Sequence, residues 1–160
     1  MTVFLVVLLA FAVIITGAVT GVFISYTTFV KHALGPMQPA VAARIIRSMI
    51  HASLRTPVMA GQFSAMLLGF VTTGLVLLGQ SAAAAPWVIG ATVVQFVGSL
   101  LVSAIATTRV NDRLTAVPDE DAALEAAWSS FRREWLMWNR VRTYASLLAC
   151  AGFAVALRLA

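Results

Sequence analysis

Trp135, Trp138, Asn139, Arg142 and Ser146 fall within about 100° of arc on a helical reading of their segment. Two indoles, an amide and a guanidinium make a poor face for lipid. Trp128, Trp135 and Trp138 alone would fit an interfacial tryptophan belt. Asn139 and Arg142 lie a turn deeper, in an apolar run. Intramembrane ionisable residues normally face the interior of a bundle, so the spacing marks Arg142 as a site residue.

A second stretch, Pro39 to Thr56, reads as an amphipathic helix. Val41, Ile45, Ile46, Met49, Ile50 and Leu54 cover one broad side. Arg44, Arg47, His51 and Arg55 fall within about 80° on the other. Pro39 suits a helix start and Pro57 marks the break before the next apolar run. Two compatible readings follow. The helix lies in the headgroup layer with its arginines on lipid phosphates, or it forms a basic wall over a substrate pocket.

Other chemistries lack their residues. There is no HExxH, no CxxC and no phosphate-cradling glycine loop. His32 and His51 are the only histidines and stand in different elements. A haem or metal held by His32 and His51 would need the rings to face each other across a bundle. Both lie near the interface, so no cofactor is predicted. No carboxylate lies within an apolar run, which argues against a proton relay or a cation pathway.

The elements that must position these side chains follow from composition. Of 160 residues, 61% are hydrophobic and 11% charged, where a soluble domain carries about 25% charged residues. Mean hydropathy is +0.93. About 20 apolar residues cross a bilayer, and four stretches qualify: Val3 to Phe29, Pro57 to Leu78, Pro86 to Thr107 and Leu136 to Leu159. The first is read as a retained span, because its apolar run outlasts that of a secretory signal. The expected fold is a single all-α domain, 1–160: an integral membrane four-helix bundle with amphipathic cytoplasmic helices in the first and third loops. The second of these starts at Asp119 and continues into the fourth span.

The net charge of +5 does not indicate nucleic acid, because the basic residues flank apolar runs. All of them except Arg158 fall in the first and third loops or at the start of the fourth span, as do all the acidic residues. The positive-inside rule puts both termini outside and both long loops in the cytoplasm. The lone Cys150 excludes an intrachain disulfide.

Small residues at four-residue spacing should let the helices approach: Gly17 and Gly21, then Gly61, Ala65, Gly69 and Thr73. Thr92, Gln95, Ser99, Ser103 and Thr107 form a polar stripe on the third span, read as interhelical hydrogen bonding rather than a conduit. No inverted repeat of the transporter kind is evident.

Three motifs carry a family resemblance. Thr16 to Gly21 resembles a TG-x-x-x-G stretch, Asn111-Asp112-Arg113-Leu114 an NxxL motif, and Trp135 to Thr143 the signature W-x-x-W-N-x-x-R. All three belong to small four-span membrane proteins known as anthrone-oxygenase-like, after fungal members that oxidise anthrones to anthraquinones. The chain departs from the family pattern at Arg109, where proline is common, and at His51, often asparagine.

The resemblance implies a membrane oxidoreductase, a monooxygenase that acts on a planar, lipophilic aromatic small molecule with dioxygen as co-substrate and no cofactor. Such a site needs a base, cations for a developing phenolate and an aromatic slot. On that reading His51 is the base, with His32 second. Arg142 and Arg55 stabilise the anion, Asn139 and Asn111 orient oxygens, and Trp135 and Trp138 hold the rings. Arg44 and Arg113 complete the substrate-binding set. The alternative is a non-enzymatic scaffold or an accessory subunit of a membrane complex. The small-residue faces would suit that role, and a homo-oligomer, equally well.

Overall fold

A computed structural model describes residues 3–53 and 55–160. Five helices account for nearly all of it: α1 (Val3–Leu34), α2 (Pro39–Ser53), α3 (Pro57–Leu77), α4 (Ala85–Thr115) and α5 (Asp121–Leu159). All but α2 are long and apolar enough to cross a membrane, so the chain is a helical multi-pass membrane protein.

The helix limits follow local chemistry. α1 runs past Phe29 through Lys31 and stops before Gly35-Pro36, where proline removes a donor. Pro39 and Pro57 open α2 and α3, in first-turn positions whose N–H groups have no intrahelical partner. Gly79, at φ 87°, makes the turn after α3. α2 ends at Ser53 rather than Thr56; Leu54, assigned to its apolar side, lies outside the described residues. The segment from Asp119 to Glu134 is, from Asp121 on, the first turns of α5, which runs unbroken for 39 residues.

The third span differs most from expectation. It continues beyond Thr107 to Thr115, and Phe96–Thr107 winds as a π-helix. A shorter π-turn occupies Tyr26–Val30 of α1. These wider i→i+5 turns are rare and gather at functional sites.

α5 packs against α1, α4 and α2, while α3 packs against α1 and α4, so the four spans form a ring. One apolar cluster, including Leu5, Leu9, Val88 and Phe153, fills the end of the bundle that holds the chain termini. Another, including Leu34, Ile46, Leu114, Leu124, Phe131 and Trp135, fills the opposite end. Along each span a buried polar layer separates them: Thr16 and Thr20, Gln62, Gln95 and Ser99, then Asn139, Arg142 and Ser146.

That layer ties helices together. Thr92 donates to Gly69 O at 3.1 Å, Gln62 Nε2 to Ser103 Oγ at 2.9 Å, and Ser146 Oγ to Ser99 Oγ at 3.1 Å. The stripe on α4 therefore bonds across helices as its spacing suggested. The tightest backbone approach was not in the expected set. A Cβ on Gly98 would collide with Ala145 Cβ, and one on Gly152 would sit 3.0 Å from Ala91 Cβ. Gly21, which was in the set, has nothing within 4 Å of an added Cβ.

Candidate functional site

At the end of the bundle that carries α2, all five helices enclose a cavity of about 210 Å³. Tyr26 of α1, Ile46, Met49, Ile50 and Ser53 of α2, and Val58 and Met59 of α3 line it. Ser103, Thr107, Thr108, Asn111 and Asp112 come from α4; Trp135, Asn139 and Arg142 come from α5. The W-x-x-W-N-x-x-R spacing explains the α5 wall. Positions 135, 139 and 142 are a turn apart and share a face; Trp138 stands at the edge of the same arc and does not line the cavity.

Arg142 is 6% exposed. It donates to Asn139 Oδ1 at 3.3 Å, and its guanidinium carbon lies 3.9 Å from the Phe23 ring centroid. Its Nε has no partner, and it pairs with no carboxylate among the described residues. Asn139 is fixed from the other side, its Nδ2 donating to Trp135 O at 2.8 Å. Thr107 Oγ1 and Asn111 Oδ1 are buried without partners. Tyr26 and Trp135 meet at 5.8 Å between ring centroids, tilted by 45°. The cavity thus joins an unpaired cation, an unpaired amide oxygen and an aromatic wall. Those are the parts that hold a flat anion with polar substituents.

The apolar face of α2 roofs the cavity. Its arginines point elsewhere. Arg44 pairs with Asp119 at 2.8 Å and Asp121 at 2.7 Å. Hydrogen bonds with Asp119, and then Asp121, hold its guanidinium above the usual arginine range. Arg47 donates to Leu114 O at 2.8 Å and also to Val117 O. The basic stripe therefore clasps the α4–α5 linker, and the opposite side of α2 forms the pocket wall.

Of the residues singled out from sequence, the cavity brings together Arg142, Asn139, Asn111 and Trp135. His51 and Arg55 are exposed and do not line it. His32 is exposed and its Nδ1 lies 2.7 Å from Thr28 O. Trp138 is half-buried against the neighbouring apolar cluster. Arg113 pairs with Glu134 beside a separate cavity of about 70 Å³. No group of three or more His, Cys, Asp or Glu residues with metal-site geometry occurs among the described residues.

Sequence reasoning missed Phe23, Tyr26 and Asp112. Phe23 and Tyr26 sit in an uncharged apolar run, where nothing local distinguishes them from lipid-facing aromatics. Asp112 stands within a motif, but only the extension of α4 past Thr107 carries it to the cavity.

The fold and cavity define a four-span helical membrane protein with a polar, aromatic-walled pocket at one mouth. The chain belongs to the anthrone oxygenase family, whose model matches residues 48–152. That match covers every cavity-lining residue except Tyr26 and Ile46. No curated protein and no solved structure matches the chain.

Proposed function

We propose that this protein oxidises a planar, phenolic, anthrone-type substrate with dioxygen in the cavity between Arg142 and α2. One observation carries the reading: Arg142 is buried against that cavity without a carboxylate partner among the described residues. A buried charge is costly unless compensated, so an anion would complete the site. Removal of a proton from an anthrone methylene gives a flat, delocalised anion whose charge resides on oxygen. Arg142 meets that oxygen, Asn139 and Asn111 orient the ring substituents, and Trp135 and Tyr26 pack the rings.

The chemistry closes without a further redox partner. The anion gives one electron to dioxygen, and the resulting radical pair joins carbon to oxygen. The peroxide anion takes up a proton, and the resulting hydroperoxide loses its remaining C–H hydrogen and its terminal hydroxyl as water to leave the ketone. Overall, the methylene and one molecule of dioxygen give the ketone and one molecule of water. The excess of basic residues beside the cavity favours a cytoplasmic mouth, with both termini outside. A lipophilic substrate would then arrive from the bilayer.

The test is anthrone oxidation by protein in lipid nanodiscs under air, followed by anthraquinone absorbance and oxygen uptake. Arg142→Met should lower the rate by about 10²–10³-fold, as expected for loss of a preorganised charge contact. Equal rates for Arg142→Met and wild type, or a wild type no faster than empty nanodiscs, would sink the reading.

A further inference from the structure

We infer that Asp112 is the base that takes the substrate's methylene proton; this rests on the cavity being an anthrone site. The reaction needs a proton acceptor in contact with substrate. Among the described residues that line the cavity, Asp112 is the one carboxylate, and no histidine lines it. Its carboxylate has no ion-pair or hydrogen-bond partner among the described residues, so no neighbour competes for its oxygens. Asp112 and Arg142 come from different helices, the exposed acid on α4 and the buried cation on α5. A substrate whose oxygen meets Arg142 lies with the rest of its ring system in the same cavity as Asp112.

The step balances. The methylene C–H bond breaks, and its proton forms an O–H bond on the Asp112 carboxylate. The electron pair left behind delocalises onto the ring oxygen held by Arg142. After carbon joins dioxygen, the Asp112 carboxylic acid returns its proton to the peroxide oxygen, which restores the carboxylate before water leaves. Asp112 is thus a catalytic residue that is regenerated in each turnover.

The proton step is separable from oxidation. In deuterium oxide under nitrogen, wild-type protein in nanodiscs should wash deuterium into the methylene of unsubstituted anthrone faster than empty nanodiscs. Asp112→Asn should slow both this exchange and aerobic oxidation by about 10²-fold or more. It should still bind anthraquinone, read by tryptophan quenching, within about threefold of wild type. Asp112→Glu should recover part of both rates. Exchange and oxidation at wild-type rates in Asp112→Asn would overturn the inference and leave the anthrone site standing. Loss of anthraquinone binding in that variant would overturn it too, since Asp112 would then be a binding group. A wild type that neither exchanges nor oxidises anthrone would overturn the site reading and this inference together.

Discussion

Arg142 lines the cavity with its guanidinium carbon over the Phe23 ring and one N–H on Asn139. A ring face and an amide oxygen are weaker partners than a carboxylate. Charge is therefore kept in the ligand-free protein at some cost in stability. Removing it should separate stability from function. Arg142→Met is expected to raise the unfolding free energy of the ligand-free protein by about 1–2 kcal/mol. Thermal unfolding in detergent checks the sign, and a lowered midpoint would mean that the Phe23 and Asn139 contacts outweigh burial of the charge. The residues that sequence places here share one property: they stand at helical spacing around an ionisable side chain in an apolar run. Arg142, Asn139 and Trp135 can be found that way, and Asn111 through its motif. Phe23 cannot, because an apolar ring in an apolar span carries no local sign of the charge it meets across the bundle.

Between α4 and α5 two close contacts leave little room for an added methyl group. The helices meet at Gly98 and Ala145, and again at Ala91 and Gly152. Gly98→Ala would force the two apart or shift a backbone, at about 1–3 kcal/mol. Gly90→Ala, on the same helix with nothing within 4 Å of its added Cβ, should cost nothing and would gain helix propensity. Unfolding of the two variants side by side measures the difference; equal stabilities would show that the crossing yields freely. The Gly98 contact lies in the π-helical stretch, which also carries Ser99, Ser103 and Thr107. Sequence periodicity assumes 3.6 residues per turn, so a wider winding cannot be read from it. Gly98 has no small partner in the four-residue glycine pattern of the first two spans, and so carries no sign of the contact it makes. The amphipathic character of α2 is plain in its sequence. Which side faces the pocket depends on Asp119, Asp121 and the Leu114 and Val117 carbonyls, all supplied by the distant linker and the helix ends that flank it.

At the scale of the molecule, charge and apolar length are sufficient to find the spans. A run of about 20 uncharged residues has few alternatives to a transmembrane helix, and the ends of the apolar runs match the helices except where α1 and α4 continue into polar sequence and where α5 begins in it, at Asp121. Assembly into a ring of α1, α3, α4 and α5 is beyond sequence, because helix pairing depends on surfaces that meet only after folding. The ring gives the cavity walls drawn from every helix, so no single span contains the site. This makes the pocket a property of the bundle, with its shape set by how the spans stand relative to one another.

The spans are unequal, and α3 is much the shortest, at 21 residues against 32, 31 and 39 for the others. At 1.5 Å per residue it covers about 31 Å, close to the hydrocarbon thickness of an ordinary bilayer. The longer helices can tilt or project into the headgroups, whereas α3 has no length to spare. Its first turn supplies Val58 and Met59 to the cavity wall. Hydrophobic mismatch would therefore be felt at the pocket before it is felt elsewhere: a thicker membrane draws that wall inward, and a thinner one pushes it out. Oxidation rates in vesicles of graded acyl-chain length should pass through a maximum near the matched thickness. Lengthening α3 by one turn at its Leu77 end should move that maximum toward longer chains. A flat dependence on chain length would mean that the wall is fixed by its neighbours alone. A maximum in that series would make the lipid surroundings one of the determinants of the pocket.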